Sequence, residues 1–142
     1  MKSRLVALVL LGCLVLPTIA APAVIDPAVL AEEEALRRSE RKVVLEANLA
    51  RARQLQKEKN FADAVKLYEE AVGHAKLLGT DVVEKQYRDA LAGIAHCRLQ
   101  IAVALQEKYD FKGASAEADK VFPYDPTNRQ AKEFKRFNDR VE

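Results

Sequence analysis

Asn60 to Val72 reads N-F-A-D-A-V-K-L-Y-E-E-A-V, and its apolar residues recur at the spacing of one helix face. Phe61, Ala64, Tyr68 and Ala71 share that face, three or four residues apart. Small Ala side chains there let two helix backbones approach, and the aromatic rings fill the gaps beside them. A looser copy runs from Asp110 to Phe122, D-F-K-G-A-S-A-E-A-D-K-V-F, followed by Asp125-Pro126-Thr127-Asn128. Two such copies in one chain predict helix-pair repeats, an architecture suited to binding.

Upstream of Asn60, Leu45, Leu49, Ala52 and Leu55 form an amphipathic stripe that ends at Lys57-Glu58-Lys59-Asn60. Residues 45 to 78 therefore read as helix, turn, helix. Gly79 is suited to a helix C-cap, and Thr80 or Asp81 to the next N-cap. From Asp81 to Lys108 a second long helical stretch is interrupted only by Gly93. Val83, Tyr87, Leu91, Ile94, Ile101 and Leu105 form its main stripe, with Arg98 as the polar exception. Ala95, Leu99, Ala102 and Val103 make a second apolar face, which predicts a helix packed between neighbours. A last helix, Asn128 to Arg140, is expected to turn Ala131, Phe134 and Phe137 inward as a polar-backed cap.

Asp26-Pro27 starts a helix, with Asp as N-cap and Pro at the first position. Residues 24–44 read as a charged helical spacer, in which Glu33 with Arg37 and Glu34 with Arg38 form favourable i,i+4 pairs. A weak heptad through Val29, Leu36, Val43 and Ala50 leaves room for self-association, while Glu33 and Glu40 argue against a strong coiled coil.

Residues 1–23 have the layout of a secretory signal peptide. Lys2 and Arg4 open it, Leu5 to Leu16 is almost wholly apolar, and small residues follow, with cleavage sites after Ala20 or Ala23. Two other fates stay open. Leu5 to Ile25 carries no charge over 21 residues, long enough for a retained anchor, although Pro17 and Pro22 would break such a helix. Leu10-Leu11-Gly12-Cys13 is similar to a bacterial lipobox, whose Cys carries lipid. The expected location is exported, periplasmic or cell-envelope. Membrane association is expected only if the leader is retained or Cys13 is lipidated.

The chain has 142 residues, 49% of them apolar and 6% aromatic, with no Trp, which suits small helical repeats rather than a sheet. Its first 20 residues hold two basic groups and no acidic one, so the remainder carries 21 of each sign and a formal charge of zero. No dense basic patch is left, and nucleic acid is not an expected partner. Without Cys13 the lone thiol is Cys97, which cannot close an internal disulfide. It reads as a small buried apolar residue, with an intermolecular disulfide as the alternative.

Catalytic constellations are missing. His74 and His96 are 22 residues apart, and no Cys, His and acid cluster has metal-ligand spacing. His96 and Cys97 are adjacent on a helix and do not face each other. Ser39 and Ser115 lie in helical stretches, not at a nucleophile elbow, and no Gly-rich loop cradles a phosphate. No enzyme activity, cofactor or metal is expected.

These residues resemble the tetratricopeptide repeat family, whose unit is a pair of helices. In the first unit Ala52 and Leu55 match the first helix, and Phe61, Ala64, Tyr68 and Ala71 the second. In the second unit Ala102 and Leu105 match, then Phe111, Ala114, Ala118 and Val121, with Pro126 at the closing proline. Asn48, Arg98 and Arg51 depart from the family pattern, and the first unit lacks its proline. The resemblance covers residues 45–142 and implies an all-α, short solenoid with a long charged N-terminal helix and a C-terminal capping helix.

It also implies protein or peptide binding on the face lined by the first helix of each pair. Leu49, Arg53, Gln56 and Lys57 would line it in the first unit, and Leu99, Gln100, Val103 and Gln106 in the second. The Lys and Asn pattern by which chaperone-binding members clamp a terminal carboxylate is absent. A looser resemblance is to repeat regions preceding secretin domains in bacterial secretion and pilus proteins. The expected function is an exported adaptor that binds a segment of such an envelope assembly protein. The alternative is a structural, self-associating envelope protein, because two units bury little core and a second copy would complete it.

Overall fold

The structure, a computed structural model, describes residues 26–141, so the expected leader of residues 1–23, its alternative as an anchor, and Cys13 lie outside the described residues. The chain is all-α among the described residues: α1 Pro27–Lys57, α2 Phe61–Leu78, α3 Glu84–Gln106, α4 Phe111–Asp119 and α5 Arg129–Val141.

Local chemistry sets most boundaries. Asp26 Oδ1 accepts from the Ala28 N–H at 2.9 Å and Pro27 takes the first helical position. With no Gly or Pro inside it after Pro27, α1 runs unbroken for 31 residues, so the charged spacer and the amphipathic stretch from Leu45 are one element. It ends because Lys59 adopts φ 61°, and the Asn60 N–H returns to Leu55 O at 2.9 Å. Asn60 then caps α2 by accepting from the Asp63 N–H.

The same turn recurs 50 residues later. Tyr109 adopts φ 61°, the Asp110 N–H returns to Leu105 O at 3.0 Å, and Asp110 caps α4 by accepting from the Gly113 N–H at 2.9 Å. Lys59 and Tyr109 are the only non-glycine residues with positive φ among the described residues. The register of 50 extends through the packing: Leu45, Leu49, Ala52, Ala64, Val65, Tyr68 and Ala71 are buried, and so are Ala95, Leu99, Ala102, Ala114, Ser115, Ala118 and Val121.

Gly79, at φ 97°, ends α2 as expected. The start of α3 differs from expectation. Neither Thr80 nor Asp81 caps it; the Val82 and Val83 N–H groups bond back to Gly79 O, and α3 begins at Glu84 after buried Val83. Packing of Val83 in the core sets this start where no capping side chain does.

Each helix packs on the next, and α1 also meets α3. The larger core runs through α1, α2 and α3, and a smaller one joins Ala95 and Leu99 of α3 with Val121 and with Ala131 of α5. Gly93 has a packing reason: a Cβ there would stand 2.4 Å from Cζ of the Tyr68 ring, so α2 and α3 meet with that ring against bare backbone. In α5, Ala131 is buried and Phe134 half-buried, but Phe137 is exposed. The buried line passes through Ala131 and Asn138, seven residues apart, which leaves Phe137 about 100° off the contact.

Candidate functional site

The expected groove residues separate into two groups. Leu49 and Leu99 do not face solvent; both are buried, Leu49 in the larger core and Leu99 in the smaller. Their position on the first helix of a pair is covered by the next helix along, α3 over Leu49 and α5 beside Leu99. Arg53 and Lys57 are exposed, and Gln56, Gln100, Val103 and Gln106 are half-buried.

Arg53 and Gln56 are brought together with residues of α3. Arg53 Nη2 donates to Asp89 Oδ2 at 2.7 Å, an ion pair across the α1–α3 contact. Gln56 Oε1 accepts from the Tyr68 hydroxyl at 2.8 Å, which fixes its amide. These groups line a surface depression with Ala92 and His96, and a second depression beside it holds Glu46, Lys85 and Gln86. His96 stands edge-on to the Phe61 ring at 6.3 Å. Gln100, Val103 and Gln106 lie about one to three turns further along α3. The surface is mixed in charge, with Glu46 and Asp89 among Arg53 and Lys85. It offers hydrogen bonds and ion pairs, with more polar than apolar area.

The groups with the most structured electrostatics were not among the expected residues. Arg98 donates from Nη2 to Glu69 Oε1 and from Nη1 to Glu117 Oε2, each at 3.1 Å, and Tyr124 donates to Glu69 Oε1 at 3.0 Å. One guanidinium thus ties α2, α3, α4 and the segment before α5. Burial opposes the Arg98 charge, but the Glu69 and Glu117 hydrogen bonds outweigh it and hold its pKa above the ordinary value. Burial also pushes the Tyr124 and Tyr68 hydroxyls up, with Glu69 adding to the effect at Tyr124. The signal for this network was present in the sequence: a lone Arg inside an apolar stripe calls for acidic partners.

Cys97 is fully buried and its thiol is pushed up to about 11 by desolvation, so it stays protonated and unreactive near neutral pH. Ser115 is buried and donates to Asp139 at 3.0 Å. Among the described residues no three His, Cys, Asp or Glu side chains are grouped to hold a metal, and no helix is long and apolar enough to cross a membrane. Compared with family models, curated proteins and solved structures, the chain matches none.

Proposed function

We propose that this chain is an exported protein-interaction adaptor built on two degenerate tetratricopeptide-like helix pairs. The observation that carries the reading is the repeated turn: Lys59-Asn60-Phe61 and Tyr109-Asp110-Phe111 share backbone conformation, hydrogen bonding and capping at a spacing of 50 residues. Repetition of that kind places equivalent first helices, α1 and α3, side by side, and their mutual contact supports it.

The binding face is the exposed side of those helices, reduced by the burial of Leu49 and Leu99 to Arg53, Gln56, Lys57, Gln100, Val103 and Gln106. Its occupant is a protein segment of an envelope assembly of the secretion or pilus type. An acidic segment would compete with Asp89 for Arg53; that pair is half-exposed, so exchanging one carboxylate for another costs little. The face binds without cofactor, metal or bond-making chemistry.

Crosslinking capture from a native envelope extract, with the wild-type chain beside Arg53→Glu/Lys57→Glu, tests the reading. One dominant protein held by the first and lost by the second is expected. Equal capture by both discards these groove residues, and capture of the bait alone discards the adaptor. The mass of the chain in that extract tests export: loss of residues 1–20 or 1–23 is expected, an intact chain means an anchor, and a lipid increment means modification at Cys13.

A further inference from the structure

We propose that the N-terminal half of α1 is a self-association surface that takes a second copy of this chain, antiparallel and crossing near Leu36. This surface is separate from the binding face above. Pro27 to Val44 contains no buried residue; Arg38, Ser39 and Lys42 lie beside Leu78, Val82 and Val83, so Pro27 to Arg37 extends about 16 Å beyond that contact. Pro27 to Val44 nevertheless carries half of the large exposed apolar residues described: Val29, Leu30, Leu36, Val43 and Val44. Leu36 is 61% exposed and Val43 65%.

The charged residues of this segment have a local purpose. Arg38 pairs with Glu34 at 3.1 Å, and Arg37 reaches Glu33 at 4.0 Å, both at the i,i+4 spacing that supports an isolated helix. The five apolar residues have no such purpose. Val29, Leu36 and Val43 are seven apart and form one stripe, with Val44 about 80° and Leu30 about 120° round the helix from Leu36, both to the same flank. Leu36 and buried Leu45 are nine residues apart, about half a turn out of phase, so the stripe lies opposite the bundle's own core.

The pattern is symmetric about Leu36. Val29-Leu30 lies six to seven residues before it and Val43-Val44 seven to eight after it. A two-fold axis near Leu36 and Arg37 therefore sets Leu36 against Leu36 of the second copy, and Val29-Leu30 against its Val43-Val44. The charges agree with that direction. The acidic block Glu32-Glu33-Glu34 precedes the axis, and four basic residues, Arg37, Arg38, Arg41 and Lys42, with one acid, Glu40, follow it, so antiparallel copies set segments of opposite net charge side by side. Glu32 and Lys42, in no ion pair among the described residues, come within two positions of each other across the pair. Glu33 and Glu40 border the stripe, and Glu40 of the second copy falls one position from Glu33, a like-charge contact that weakens the pair and that Arg37 of the second copy offsets from the next position along. A parallel pair would instead set like blocks side by side.

Single-cysteine crosslinking in the full chain carrying Cys13→Ala, purified in mild detergent, tests the proposal with a short bismaleimide; buried Cys97 stays silent. Leu36→Cys is expected to crosslink to itself. Val29→Cys and Val43→Cys are expected to crosslink when mixed and not when alone. Adding Leu36→Glu to that mixture should abolish the product and halve the sedimenting mass without changing the melting temperature, because Leu36 is exposed and belongs to neither core among the described residues. No Leu36→Cys product above the Cys13→Ala control overturns the proposal. Self-crosslinking of Val29→Cys equal to that of the mixture overturns the antiparallel arrangement.

Discussion

The helix pair α1–α2 and the pair α3–α4 share one turn and one burial register, yet different forces hold them. In the first, Leu45, Val65 and Tyr68 fill the space between helices. Fifty residues on, the equivalent positions hold Ala95, Ser115 and Ala118, which occupy far less volume. The second pair makes up the difference with polar bonds and with its neighbour: Arg98 bridges Glu69 and Glu117, and Ala131 of α5 closes the smaller core. At nine residues α4 is too short to persist alone and depends on these contacts. A common backbone frame is thus compatible with an apolar pair and a polar-stapled one.

The largest effect that would break this contrast is at position 68. Tyr68→Ala should cost about 3–5 kcal/mol, whereas Ala118→Gly should cost only about 1 kcal/mol. Urea unfolding of both variants measures the difference, and equal losses would mean that the two pairs are packed alike. Next come the equivalent polar positions 48 and 98. Arg98→Met, which strands two carboxylates, should cost about 1.5–3 kcal/mol. Asn48→Ala removes one exposed bond to Glu70 at 3.1 Å and should cost about 0.5–1.5 kcal/mol. Reversal of that order would place the polar staple in the first pair.

Smaller still, and testing what the pairs share, the cap removals Asn60→Ala and Asp110→Ala should each cost about 1 kcal/mol. Near-equal shifts in melting temperature support equivalent turns. The smallest effect is pH-dependent. The Cys97 thiol, ordinarily at 9.0, is held up to about 11 in the fold, so the native chain keeps a proton that the unfolded chain gives up. Its contribution is complete below pH 9 and is lost as pH rises toward 11. A denaturant midpoint that falls over that window, and falls less in Cys97→Ala, is the expected result.

Features set by neighbours in sequence were legible in it. The breaks at Asn60 and Gly79, the Asp26-Pro27 start and the Ala64–Tyr68–Ala71 face follow from propensity, capping and spacing, all local properties. What escaped depends on contacts between distant residues. Leu49 and Leu99 look like groove residues until α3 and α5 are laid beside them. Asp89 is 36 residues from Arg53, and Glu69 is 55 from Tyr124, so no spacing rule joins them. Phe137 is more apolar than Asn138, but the helix crossing, not hydropathy, chose which of them to bury.

The unbroken α1 has no hinge between Asp26 and Lys57, so its two ends are locked in rotational phase. Each added residue advances that phase by about 100°. One Ala inserted after Ser39 would leave both the bundle and the segment before it intact, yet swing Leu36 about a quarter-turn around the axis relative to Leu45. Seven inserted residues would nearly restore the setting while moving the bundle about 10 Å away. The helix is therefore a protractor as much as a spacer: its length sets which way the Arg53 face points from whatever holds residue 26.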